Sequence, residues 1–166
     1  MLSRTIELSH INSGSFNPQG VNDVGSKLLE YAHVLEAQVE ILSIAPFKHL
    51  DVKGEQQILP MGDAIRLTKR PEAPLQIFFC GHLDTVFPID CDFQTTTWLD
   101  DDTLNGPGVA DLKGGLIVML TAIEALERSP FADQTGWEIL FNPDEEIGSQ
   151  GSATFIEEAA KRVDLG

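Results

Sequence analysis

The chain has 166 residues, 42% of them hydrophobic, with 11 Lys and Arg against 26 Asp and Glu for a formal charge of −15. That is enough for one domain burying roughly 70% of its extended surface, and the composition excludes the disordered and fibrous classes. The acidity argues against a nucleic acid as partner, since such binders carry a basic footprint, and no apolar run reaches the ~20 residues of a membrane span.

The first seven residues, Met1 to Glu7, lack the apolar stretch of a secretion signal. Cys80 and Cys91 are too few for a disulfide framework, so a cytoplasmic location is expected, or a periplasmic one had a leader been removed. Asn17-Pro18-Gln19-Gly20 is a turn signal. Val21, Val24, Leu28, Tyr31 and Leu35 then recur at helical spacing. Residues 39–45 and 64–69 read as strands, and the polar stretch 54–62 between them suggests a hairpin.

Pro71 and Pro74 break the chain. Residues 75–80 follow, apolar on both faces as a central strand should be, with Cys80 as a small buried hydrophobe. Asp100-Asp101-Asp102 reads as a turn between short extended pieces, because its spacing does not fit a calcium-binding loop. Residues 116–126 are apolar nearly all round and predict a buried helix, 137–142 a strand, and 152–163 a further helix. Strands interleaved with helices indicate a layered α/β domain. A chain stopping just after a helix, where another strand is due, is expected to be a truncated domain.

Three constellations carry the candidate chemistry. Gly81-His82-Leu83-Asp84 follows a strand, where open α/β sheets place ligand residues. Asp84 is close enough for its carboxylate to take the second ring N–H of His82 and fix its tautomer; the alternative is a His–Asp pair that only stabilises a turn. Gly106-Pro107-Gly108-Val109-Ala110-Asp111-Leu112-Lys113-Gly114-Gly115 surrounds one carboxylate with tightly specified backbone. Asp111 there is either a helix N-cap or a ligand. Asp144-Glu145-Glu146 ends the third strand, either as acids favoured by a helix dipole or as a cation site in which one acid binds metal and its neighbour moves protons. His82, Asp111 and Glu146 together form an N/O donor set suited to zinc. His10, His33 and His49 show no partner pattern.

Gly81-His82-Leu83-Asp84-Thr85-Val86-Phe87-Pro88, the Gly106–Gly115 run and Asp144-Glu145-Glu146-Ile147-Gly148-Ser149 resemble, in wording, order and spacing, the N-terminal motifs of the carboxypeptidase G, acetylornithine deacetylase and aminoacylase family of two-zinc metallopeptidases. Asn12-Ser13-Gly14-Ser15 and Pro18-Gln19-Gly20-Val21-Asn22 resemble the family's opening. The resemblance implies a layered α/β/α domain with a mixed, mostly parallel sheet. It implies that His82 binds one zinc with Asp84 orienting it, that Asp111 bridges both zincs, that the Asp111–Leu112 peptide is cis, that Glu145 is the general base, and that Glu146 binds the second zinc. Cobalt is a possible substitute metal. The activity implied is hydrolysis of a peptide or amide bond, in a small peptide or an N-acyl amino acid, by a metal-bridging hydroxide. The family's later carboxylate and His ligands, and its lid and dimerisation domain, have no counterpart in these residues, so the isolated chain is expected to be inactive. The alternatives are a non-catalytic remnant and a cation-binding module of the same fold.

Overall fold

The computed structural model describes residues Met1–Gly166. Its centre is a four-stranded sheet built from β1 (Gln38–Leu42), β4 (Ala64–Lys69), β5 (Leu75–His82) and β8 (Thr135–Asn142), in the order β1-β4-β8-β5. Two small ribbons, β2 (Phe47–Leu50) with β3 (Gln56–Leu59) and β6 (Thr97–Trp98) with β7 (Leu104–Asn105), stand apart from it. Every residue of β8 is buried. Trp137, Ile139 and Phe141 fall on one face and Leu140 on the other, as the two-residue period of a strand requires.

Helices cover both faces. Against Trp137, Ile139, Phe141, Ile65 and Leu67 pack α1 (Leu2–Ser9) through Leu8, α2 (Pro18–Ala32) through Val21, Val24 and Leu28, and α3 (Gly114–Glu127) through Leu116, Ile117, Leu120 and Ile123. On the opposite face Ala64, Phe78 and Leu140 meet Ala159 of α4 (Ala153–Ala160), flanked by Phe155 and Ile156. The architecture is thus the α/β/α sandwich expected, and each fully buried Leu, Ile or Phe stabilises it by about 1.5–3 kcal/mol. Asn17 caps α2, its side chain accepting the Gly20 N–H at 3.2 Å, with Pro18 at the first helical position.

The sheet is mixed but not mostly parallel within these residues. β1 and β8 both run antiparallel to β4, and only β5 and β8 are parallel. The chain from 38 to 69 folds back as a hairpin, whereas a helical crossover through α3 makes the one parallel pair. The expected hairpin is present, and its long connection carries the β2–β3 ribbon, of which β3 falls in the polar stretch 54–62.

Residues 75–80 lie at the sheet's edge, not its centre, because β8 separates β5 from β4. Cys80 is accordingly exposed rather than buried. The run is apolar on both faces because Phe78 packs toward α4 and Phe79 toward the larger core. Part of the outer edge is met by Leu165, which bridges Ile77 and accepts the Phe78 N–H at 2.8 Å. Helix α3 buries one face only, and Val118 on the other is 57% exposed.

Candidate metal centre

Because β5 and β8 are parallel and in register, with His82 opposite Asn142, their carboxyl ends open side by side. The Leu83 N–H donates to the Asn142 carbonyl at 2.8 Å and holds the two outgoing loops together. His82 is the last residue of β5 and is buried. Asp84 follows in the loop with no exposed surface. Asp144 ends the segment after β8, and Glu145 and Glu146 sit on a single 3-10 turn, Glu145–Ile147.

Asp111 arrives from the third loop, just before α3. The Gly-Pro-Gly run has a concrete purpose there. Gly108 adopts φ +69°, and a Cβ on it would stand 2.9 Å from Lys113 Cδ and 3.0 Å from Thr85 Cγ2. The Lys113 N–H donates to the Gly108 carbonyl at 2.8 Å, closing the loop beneath Asp111. The Asp111–Leu112 peptide is cis.

The three loops bring His82, Asp111 and Glu146 together, with one ligand atom from each lying within 4.8 Å of the others. His82 Nε2 lies 2.9 Å from Asp111 Oδ1. Its Nδ1 faces Asp84, nearer the backbone carbonyl at 3.0 Å than the carboxylate Oδ1 at 3.4 Å. The main chain of Asp84 is therefore the closer partner of the ring, and its side chain chiefly binds elsewhere. The Asp84 carboxylate accepts the Ser15 hydroxyl at 2.7 Å and the N–H groups of Glu145 and Glu146 at 3.1 and 3.2 Å.

The three consecutive acids separate by role. Asp144 turns inward, accepting from Ser152 Oγ at 2.5 Å and the Gly151 N–H at 2.7 Å at the start of α4. Glu145 is exposed and Glu146 half-buried on the short turn. Asp111 does not cap α3, whose N-cap is Lys113 with no side-chain capping bond. Its side chain is 76% exposed and turned to His82.

The electrostatics ask for a cation. Burial pushes the Glu146 carboxyl above its ordinary value, and Asp111, Asp84 and Glu145 push the same way against the pull of His82. Burial would lower the His82 imidazole, but hydrogen bonds to Asp84 and Asp111 win and push it up to about 9. No Lys or Arg pairs with Asp84, Asp111, Glu145 or Glu146. The nearby Lys113 is buried and turns away, its Nζ donating to the Ile11 carbonyl at 2.7 Å. An imidazole nitrogen held through its other ring nitrogen by a carbonyl, beside two carboxylates that no Lys or Arg pairs with, fits a divalent metal of borderline softness.

Ser15 carried no assigned role in the sequence. The sole hint was a hydroxyl in a Gly-containing turn, and nothing local connects it to a carboxylate 69 positions away. His10 pairs with Thr96 at 3.0 Å and His49 stacks on Phe47, so neither joins the cluster.

A sequence profile described as peptidase family M20/M25/M40 matches residues 78–165. The chain is similar to carboxypeptidase G2 of Pseudomonas sp. (strain RS-16), at 29% identity over 162 residues, covering 97% of this chain and 36% of that protein. It is similar to succinyl-diaminopimelate desuccinylase 2 of Shewanella loihica (strain ATCC BAA-1088 / PV-4), at 32% identity over 114 residues, covering 66% of this chain and 28% of that protein. The crystal structure of human carnosine dipeptidase 1 shares the fold, with a TM-score of 0.75 at 22% identity over 99% of this chain and 37% of that one. The chain thus spans about a third of the length of the curated relatives it matches.

Proposed function

This chain belongs to peptidase family M20/M25/M40, and from that premise we propose that it supplies three ligands and the general base of a two-zinc site that hydrolyses a peptide or amide bond. The observation that carries the reading is the convergence of His82, Asp111 and Glu146 within 4.8 Å. In this reading His82, Asp111 and Glu146 would hold the zinc pair. Zinc, when bound, supplies Lewis acidity, polarising the amide carbonyl and bringing the pKa of water toward ~7.

The chain's own residues do the rest. Asp84 holds the 3-10 turn from beneath by accepting the Glu145 and Glu146 N–H groups. That leaves Glu145, exposed beside the ligand Glu146, free to take a proton from the attacking water and return it to the departing nitrogen. The His82 ring is prevented from turning by the Asp84 carbonyl on Nδ1. The substrate in this reading is a small peptide or an N-acyl amino acid.

Three such residues for two ions are fewer than the three or four protein ligands that each ion of a stable site would take. These 166 residues alone therefore hold zinc weakly and turn nothing over, and the proposal assigns a further carboxylate and a His to additional chain. A non-catalytic remnant is disfavoured because all four of His82, Asp111, Glu145 and Glu146 are in place.

The test is Glu145→Gln in the complete protein. Turnover should fall by about 10²–10⁴-fold, the usual worth of a general base, with zinc content unchanged. Undiminished activity would remove Glu145 from its role. Tight binding of two zincs by the isolated 166 residues would contradict the ligand count.

A further inference from the structure

Next to the carboxylate cluster lies an open cavity of about 360 Å³. Glu146 lines it as well as belonging to the cluster, so the cavity runs directly up to the candidate reaction centre. Its other walls come from two segments brought together by the pairing of Gly14 with Thr85: Phe16 on one side, Val86 and Ile89 on the other, with Ile147 from the 3-10 turn.

Most polar groups of those walls are already engaged. Ser15 Oγ donates to Asp84. Asn17 accepts from the Gly20 N–H at 3.2 Å and donates to the Asn12 carbonyl at 3.0 Å. The Thr85 N–H donates to the Ser13 carbonyl at 2.9 Å, and its own carbonyl accepts the Ser15 N–H at 3.2 Å. What faces the open space is mostly hydrocarbon: Phe16 is 53%, Val86 63% and Ile89 68% exposed. Phe47 of β2 stands 5.6 Å from the Phe16 ring and lengthens that apolar side. Three large apolar side chains each more than half exposed around one concavity mark a binding surface rather than a random scatter.

Charge decides which half of a substrate enters. No Lys or Arg lines the cavity, and Glu146 is its only ionisable group. A leaving amino acid brings a carboxylate, and with Glu146 committed to the metal these walls offer no cation to pair it. The acyl half of an N-acyl amino acid brings none. Resting on the hydrolase reading above, we propose that this cavity is the acyl pocket of the site and selects substrates with an apolar, uncharged acyl group, aliphatic or aromatic.

The experiment is a kcat/KM series on the complete, zinc-loaded protein, using N-acyl derivatives of one amino acid from acetyl to octanoyl. The wild type should gain with each methylene until the cavity is filled, at up to the ~10–200-fold per group that an apolar pocket can deliver. Ile89→Asp, and Phe16→Ala should the charged variant fail to fold, should cut the preference for hexanoyl over acetyl by on the order of tenfold while zinc content stays at the wild-type level. Turnover that ignores acyl length, that follows the leaving amino acid's side chain instead, or whose selectivity survives both variants overturns the pocket and leaves the hydrolase reading standing. Failure of the zinc-loaded protein to cleave any member of the series overturns the pocket, and failure on a panel of dipeptides as well overturns the hydrolase reading.

Discussion

The Ser15 hydroxyl donates to the carboxylate of Asp84 at 2.7 Å, with both residues buried. The same carboxylate accepts the Glu145 and Glu146 N–H groups and lies 3.4 Å from His82 Nδ1. One buried acid therefore joins the N-terminal segment, the β5 loop and the turn that carries the candidate base. No Lys or Arg reaches it, so these hydrogen-bond donors and the His82 ring stabilise its charge. Such bonds to a charged group are worth about 1.5–3 kcal/mol each.

Ser15→Ala removes one of those donors from a site that water cannot easily replace. Stability should fall by about 1.5–3 kcal/mol in chemical denaturation. Zinc affinity of the complete protein should drop by about 10–100-fold in competition with a chelator, the usual cost of losing a residue that orients ligands. Ser15→Thr keeps the hydroxyl and should restore both. Equal zinc affinity in the alanine variant and the wild type would show that Asp84 needs no help from Ser15.

The separate role of Asp144 makes a contrasting prediction. It accepts Ser152 Oγ and the Gly151 N–H at the start of α4 and is 2% exposed, so its charge stabilises a helix entrance rather than a metal. Asp144→Asn should cost about 1–3 kcal/mol of stability. Zinc affinity, compared at a temperature where the variant is folded, should stay near wild type. A loss of zinc as large as that of Glu146→Gln would place Asp144 among the ligands after all.

The convergence of His82, Asp111 and Glu146 was more legible in the sequence than the order of the strands. His82 and Glu146 could be placed because each follows an apolar run, and ligands gather at the carboxyl ends of strands. That reasoning needs only that β5 and β8 be parallel, which they are. Strand order was not legible, since the runs forming β5 and β8 look equally apolar while one is an edge and the other fully enclosed. The β2–β3 ribbon escaped because Lys48, His49, Gln56 and Gln57 break the apolar alternation of strands that are half exposed. Helix α1 escaped for a similar reason. It has eight residues and no side-chain cap, and Leu8 secures it by entering the core against partners distant in sequence.

Gly14 is a place where backbone crowding, not flexibility, demands glycine. A Cβ there would stand 2.4 Å from the Phe87 carbonyl oxygen and 3.3 Å from Pro88 Cα, backbone atoms that cannot swing aside. Gly14→Ala should push the 13–15 segment away from Thr85, destabilise the fold by more than the ~1 kcal/mol of an average substitution, and weaken zinc binding through Ser15. Gly54→Ala is the control for backbone strain alone, because Gly54 has a positive φ of +80° but nothing within 4 Å of the added carbon. A Gly14→Ala protein as stable as the Gly54→Ala protein would mean the two segments are not packed as described.

The acid limb of the stability curve should depend on Glu127. Its carboxylate is held by Arg70, and further by the Trp137 Nε1–H at 2.9 Å and Lys69 at 2.9 Å. Chiefly through Arg70, and against the opposing effect of burial, its pKa is lowered from the ordinary 4.5 to about 2. A group whose pKa is lower folded than unfolded stabilises the fold fully above the unfolded value, and that stabilisation is lost as pH falls through the folded one. Unfolding free energy should therefore decline between about pH 4.5 and 2 as protons bind the unfolded chain first. Glu127→Gln should lower stability at neutral pH, because Arg70 and Lys69 lose their partner, and flatten this decline. Some slope should remain from Asp51 and Asp100, whose exposed carboxyls are also held below the usual range by neighbouring N–H donors. Urea unfolding at half-unit pH steps measures both effects, and an identical slope in variant and wild type would show that Glu127 does not govern the limb.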